Sequence, residues 1–127
     1  MTLFYLGPKG TFSYLAALKL QSQTNQKEQL VERSNLYEVM SSLQKDPSAS
    51  AIVPIENSIE GTINVIADSL IEQNFVIIEE IFLDIAFALY GLPNQSFKDI
   101  QRVYSISPAI SQTQKFIHEQ QFDYDYT

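Results

Sequence analysis

The chain has 127 residues, 45% of them hydrophobic, a length and composition that suit one domain, or one and a fraction, with a real core. Its net charge of -7, from 15 acidic residues against 8 basic ones scattered singly, makes nucleic acid and anionic membrane surfaces poor partners. The absence of cysteine and the single histidine, His118, exclude disulfide frameworks, thiolate metal sites, cysteine nucleophiles and a histidine metal cluster.

Leu3 to Leu6 is a short apolar run ended by Gly7-Pro8, which predicts a strand buried on both faces of a parallel sheet. Gly10 and Thr11 then start a helix over Phe12 to Leu20, with Leu15 and Leu18 directed to a core, and Gln21 to Gln29 reads as a polar loop. Leu36, Val39, Met40 and Leu43 form one helical stripe, with Asn35 and Glu38 spaced as a capping box and Asp46-Pro47 as the stop. Ala49 to Ile55 predicts a second buried strand, followed by a helix striped with Ile59, Ile63, Ile66 and Leu70. Phe75 to Ile78 and Phe82 to Tyr90 read as strands, and the turn residues Gly91, Pro93 and Asn94 place a lobe boundary at 91 to 100. Val103 to Ile106 is a further strand, Ser107 an N-cap and Pro108 the first residue of a helix through about Gln121, and Phe122 to Thr127 begins another, half-buried strand.

This alternation predicts an α/β fold, a parallel-type sheet flanked by helices. Ligands of such sheets bind beyond the carboxyl ends of the strands, which singles out three loops rich in small and hydroxylated residues. In Gly7-Pro8-Lys9-Gly10-Thr11-Phe12-Ser13 the glycines permit a sharp turn, and Thr11 and Ser13 place hydroxyls beside unpaired helix amides. The loop suits a carboxylate, although on spacing alone a plain capped turn is the commoner reading; it matches neither the dinucleotide fingerprint nor the phosphate loop. Pro54 to Thr62 packs Glu56, Asn57, Ser58 and Glu60 between strand and helix, a site in one reading and an N-cap with dipole-complementing acids in the other. The third, Tyr104-Ser105-Ile106-Ser107-Pro108 with Ser111 and Gln112, again sets hydroxyls and an amide at a helix start. His118, among Glu119, Gln120 and Gln121, reads as exposed.

Taken together, Gly7-Pro8-Lys9-Gly10-Thr11-Phe12-Ser13 with Ala16, Val53-Pro54-Ile55-Glu56-Asn57-Ser58-Ile59-Glu60-Gly61, and Val103-Tyr104-Ser105 with Gln112 resemble prephenate dehydratase in content, order and separation. The resemblance implies two lobes like those of type II periplasmic binding proteins, with residues 1 to 100 the first lobe and 101 to 127 the start of an incomplete second. It implies conversion of prephenate to phenylpyruvate, with loss of water and carbon dioxide, in phenylalanine biosynthesis. By likeness, Glu56, Asn57 and Ser58 are the catalytic segment, and Gly10, Thr11, Phe12, Ser13, Ser105 and Gln112 bind substrate. No metal and no cofactor are implied.

The chain departs from the pattern at Ile106 and near Phe87, where many members carry histidine, and it contains no Thr-Arg-Phe motif, which supplies the family's key threonine. Little or no activity is therefore expected of these residues alone. Expected partners are prephenate and a second copy in a homodimer or larger homo-oligomer, with phenylalanine acting only through a regulatory domain not represented here. With neither a signal segment nor an apolar run near about 18 residues, the protein is expected to be soluble and cytoplasmic. The alternatives are a non-catalytic binding or sensor domain for small carboxylates with the same architecture, and an oligomerisation fragment.

Overall fold

The structure, a computed structural model, describes residues 1–25, 27–57 and 61–127. They form two compact units, Met1–Asp84 and Ile85–Thr127, dividing ahead of the turn-rich stretch at 91 to 100.

In the first unit β1 (Thr2–Leu6) lies between β2 (Gln29–Arg33) and β3 (Ser50–Ile52), parallel to both, with Leu6 opposite Arg33 and Tyr5 opposite Ile52. The consecutive residues Leu3, Phe4 and Tyr5 are all buried, so both faces of the central strand are covered, as a parallel sheet requires. The helices α1 (Phe12–Thr24) and α2 (Leu36–Lys45) lie against β1, and α2 also packs on α3 (Asn64–Glu72). Leu3, Tyr5, Ala17, Val39, Met40 and Ile66 form the core, where each large apolar side chain contributes roughly 1.5–3 kcal/mol. The fold is thus α/β, a parallel sheet flanked by helices.

The start of α2 follows its sequence: Asn35 Oδ1 accepts from the Glu38 amide at 2.8 Å, while Glu38 Oε2 accepts from the Ser34 amide at 3.2 Å, one residue earlier than a standard capping box. Elsewhere the expectations need correction. The polar stretch from Gln21 is not all loop, because α1 continues to Thr24 and β2 begins at Gln29. Leu15 and Leu18 are 45% and 39% exposed; the small Ala17 is the residue that meets the core, on a helix with apolar side chains around its circumference. The third helix starts at Asn64 instead of near Ile59, because the chain first makes a short antiparallel pair, β4 (Glu56–Asn57) with β5 (Gly61–Thr62). Phe75 to Ile78 and Phe82 to Tyr90 join no ladder among the described residues: apolar composition suits a strand, but a strand exists only beside a paired neighbour.

In the second unit β6 (Arg102–Ser105) pairs in parallel with β7 (Asp123–Tyr126), joined through α4 (Ser107–Gln112) and α5 (Gln114–Glu119). The single helix expected through Gln121 is thus two, with Thr113 between them donating its hydroxyl to the Ala109 carbonyl at 2.7 Å. Ser107 is the first helical residue, not the N-cap; Ile106 holds that position and provides no side-chain cap. Ala109, Ile110 and Ile117 are buried, and the Phe122 ring meets Phe97 and Phe116 edge-on at 6.0 Å each. All four residues of β7 are exposed rather than half-buried, and Arg102 bridges Asp125 at 2.7 Å and Asp123 at 3.6 Å across the strand pair. His118 is exposed. Among the described residues no helix is long and apolar enough to cross a membrane.

Candidate functional site

The first loop leaves the carboxyl end of β1 and is fastened at once, since the Gly7 amide donates to the Arg33 carbonyl at 2.9 Å. A Cβ on Gly7 would lie 2.7 Å from Cβ of Glu32, so the close approach of β1 and β2 excludes a side chain there. Gly10 has φ +91, a left-handed conformation that glycine alone adopts cheaply. Thr11 then caps α1 with both capacities of its hydroxyl in use: it donates to the Leu6 carbonyl at 2.9 Å and accepts from the Tyr14 amide at 3.2 Å. Ser13, half-buried in the first turn, has no hydrogen bond from its hydroxyl among the described residues. Of the two hydroxyls in this loop, Ser13 therefore has the freer donor. Phe12 stands beside them at the boundary of exposure.

The second loop follows β3, the direct parallel neighbour of β1, so it emerges at the same edge of the sheet as Gly10–Ser13. Glu56 is exposed and Asn57 half-buried on β4, held opposite Thr62 and Gly61 respectively. The base of this hairpin is closed by the Ile63 amide donating to the Ile55 carbonyl at 2.9 Å. Asn57 does not cap α3, because Ile63 occupies the N-cap position and no side chain bonds there. Ser58, the third member of the expected Glu-Asn-Ser segment, lies outside the described residues, as do Ile59 and Glu60.

In the second unit Ser105 is the last residue of β6, half-buried, its carbonyl accepting from the Thr127 amide at 2.9 Å. Gln112 closes α4, also half-buried. Gly10–Ser13, Glu56–Asn57 and Ser105 thus stand at or beyond the carboxyl ends of parallel strands, the position from which such sheets bind ligands, whereas Gln112 lies at the far end of α4.

The sequence offered weaker signals for three further features beside the first two loops. Arg33 ends β2 next to Gly7, its guanidinium lying 4.9 Å over the Phe4 ring and its Nε donating to Ser42 Oγ at 2.7 Å; only recognition of β2 would have placed it. Tyr5 packs its ring against Tyr14 at 5.5 Å, and its phenol is raised above 10.0 by burial first, then by the charge of Glu32 and by Tyr14. The Gly61-Thr62 return of the hairpin was signalled only by a glycine in a loop. A larger apolar hollow of about 740 Å³, lined by residues such as Leu3, Met40, Ile52, Ile66 and Leu70, contains none of Gly10–Ser13, Glu56 or Asn57.

The family model described as prephenate dehydratase matches residues 3–126. A prephenate dehydratase of Bacillus subtilis (strain 168) is 35% identical over 121 residues, covering 93% of this chain and 41% of that protein. A bifunctional chorismate mutase/prephenate dehydratase of Buchnera aphidicola subsp. Acyrthosiphon pisum is 36% identical over 113 residues, 89% of this chain and 29% of that protein. The crystal structure of the prephenate dehydratase from Staphylococcus aureus subsp. aureus Mu50, a periplasmic-binding-protein-like fold, superposes with a TM-score of 0.81 at 52% identity over 100% of this chain and 47% of that one. The chain therefore spans between about a third and a half of the proteins it matches.

Proposed function

The chain belongs to the prephenate dehydratase family, and on that footing we propose that it forms part of an enzyme converting prephenate to phenylpyruvate, water and carbon dioxide in phenylalanine biosynthesis. In this reading residues 1 to 100 belong to the first lobe of the catalytic unit and 101 to 127 open the second. The observation that supports it best is the emergence of Gly10–Ser13 and Glu56–Asn57 from adjacent parallel strands at one sheet edge.

The chemistry needs little from the protein beyond placement and one proton. As the carbon–carbon bond to the ring carboxylate breaks, its electron pair moves into the ring and the carbon–oxygen bond to the ring hydroxyl breaks. The hydroxyl leaves as water by taking up one proton, and the ring becomes aromatic. The enzyme's task is to hold the dianion and to protonate the departing hydroxyl. We assign carboxylate binding to the α1 amides and the Ser13 hydroxyl, with Gly10 and Phe12 shaping the loop. Thr11 serves this site by clasping β1 to α1, since its hydroxyl is engaged on both sides. Asn57 and Ser58 orient the ring hydroxyl, Glu56 stands beside them as a proton donor or a structural acid, and Ser105 and Gln112 contribute from the second unit. The threonine of the Thr-Arg-Phe motif, not present in these residues, is the better candidate acid by family likeness.

The protein is proposed to act in the cytoplasm as a homodimer or larger homo-oligomer, with phenylalanine sensed only by a regulatory domain outside this chain. A non-catalytic carboxylate sensor is not the favoured reading, given the family match across nearly the whole chain. Calorimetric titration of the purified chain with prephenate, against phenylpyruvate and an unrelated dicarboxylate, tests the assignment. Saturable, prephenate-selective binding is the expected result. In the full-length enzyme, wild-type kinetics for Asn57→Ala would remove its orienting role.

A further inference from the structure

We propose that Gly61 is a positioning residue for the Glu56–Asn57 segment, acting through the backbone of the β4/β5 pair; the inference rests on the dehydratase reading of that segment. The pair is minimal, Glu56 opposite Thr62 and Asn57 opposite Gly61, closed at its base by the Ile63 amide on the Ile55 carbonyl at 2.9 Å. So short a hairpin has almost no intrinsic stability, and its register depends on how the chain turns back. Gly61 makes that return with φ +77, a conformation L residues resist. Side chains alternate between faces along a strand, so a slip of one residue would turn Asn57 from one face to the other. The left-handed glycine thus selects the face on which Asn57 stands.

The site allows a clean test, because a Cβ on Gly61 meets no heavy atom within 4 Å among the described residues. A methyl group there loads the backbone conformation without a close contact among the described residues, so Gly61→Ala reads that strain. Asparagine tolerates a positive φ better than alanine, and a β-branched residue tolerates it least. The experiment compares Gly61→Asn, Gly61→Ala and Gly61→Val in this chain by two readouts, hydrogen exchange of the Ile63 amide and calorimetric affinity for prephenate.

Exchange at Ile63 should quicken in the order asparagine, alanine, valine, while the Leu3 and Val39 amides keep wild-type protection. Affinity should stay within about threefold for asparagine and fall about tenfold for valine, following the left-handed penalty. Wild-type exchange at Ile63 in Gly61→Val would overturn the inference. So would faster exchange with undiminished affinity, which would make the hairpin mere scaffold. If the unsubstituted chain does not bind prephenate, the affinity series is read in the full-length enzyme, where failure to bind would count against the dehydratase reading, and the exchange series would still decide whether Gly61 sets the hairpin.

Discussion

Thr11 offers the sharpest separation of clasp from contact. Thr11→Val keeps the branched shape but removes the hydroxyl, leaving the Tyr14 amide without its cap acceptor and the Leu6 carbonyl without its donor. Loss of an N-cap costs about 1 kcal/mol, and a partly buried carbonyl left unpaired adds about 1 kcal/mol. The expected destabilisation is therefore about 2 kcal/mol, which lowers a urea midpoint by about 1 M at a slope near 2 kcal/mol/M. Urea unfolding followed by far-ultraviolet circular dichroism reads this directly. Thr11→Ser, which restores the hydroxyl, should lie within about 0.5 kcal/mol of wild type, apart from the lost methyl contact. Ser13→Ala should leave stability within about 0.5 kcal/mol and weaken prephenate binding, since its hydroxyl has no partner to lose among the described residues. A Thr11→Val midpoint equal to wild type would refute the clasp, and a Ser13→Ala protein that binds prephenate normally would refute the division of roles.

Three other outcomes follow from the same geometry. Asn35→Ala removes the cap that accepts from the Glu38 amide and should cost about 1 kcal/mol by the same urea assay. Ile66→Ala truncates the fully buried side chain of α3 and should cost about 2–5 kcal/mol, the scale of core cavities; a loss under about 1 kcal/mol would mean that the site collapses freely. The Tyr5 phenol, raised by burial, then Glu32, then Tyr14, favours the neutral form when folded, so its contribution is intact below 10.0 and is lost as pH rises through the folded value. Urea midpoints should fall more steeply above pH 10.0 in wild type than in Tyr5→Phe, and parallel curves would show that Tyr5 is not responsible.

How far the sequence could be read depended on whether an element's stability is local. Leu3 to Leu6 was legible because a strand covered on both faces is apolar throughout, and α2 because its stripe and its cap agree. The edge strand Gln29–Arg33 escaped notice because Gln29 and Glu32 face solvent and its order derives from pairing with β1. Phe75 to Tyr90 failed in the opposite direction, since composition names strand formers but cannot supply their partners. The face of α1 was misread because a helix with apolar residues all round carries no periodic signal, leaving Ala17 no distinguishing mark. Pairs as short as β4 and β5 have no periodicity to detect, and the glycine at 61 was their only trace. The loops stood out in the sequence by their hydroxyls, amides and carboxylates, whereas the contrast between Thr11, bonded on both sides, and Ser13 depends on where Leu6 and Tyr14 lie.

The charge of the chain bears on what kind of carboxylate site these loops can make. With a net charge of -7, the overall field of the chain does not attract a dianion; of the cations nearest the first two loops, Arg33 is already engaged by Phe4, Ser42 and the Glu32 carbonyl, while Lys9 is exposed within the first loop. Binding through oriented backbone amides and neutral hydroxyls avoids that difficulty, because their dipoles act at contact distance, inside the roughly 8 Å over which salt screens exposed charges. It also makes geometry decisive: a dipole misdirected by a slipped register contributes little, whereas a flexible lysine would adjust. A site of this kind needs loops held by local bonds, and that is what the Gly7 amide on the Arg33 carbonyl, the Thr11 hydroxyl on the Leu6 carbonyl and the Ile63 amide on the Ile55 carbonyl provide.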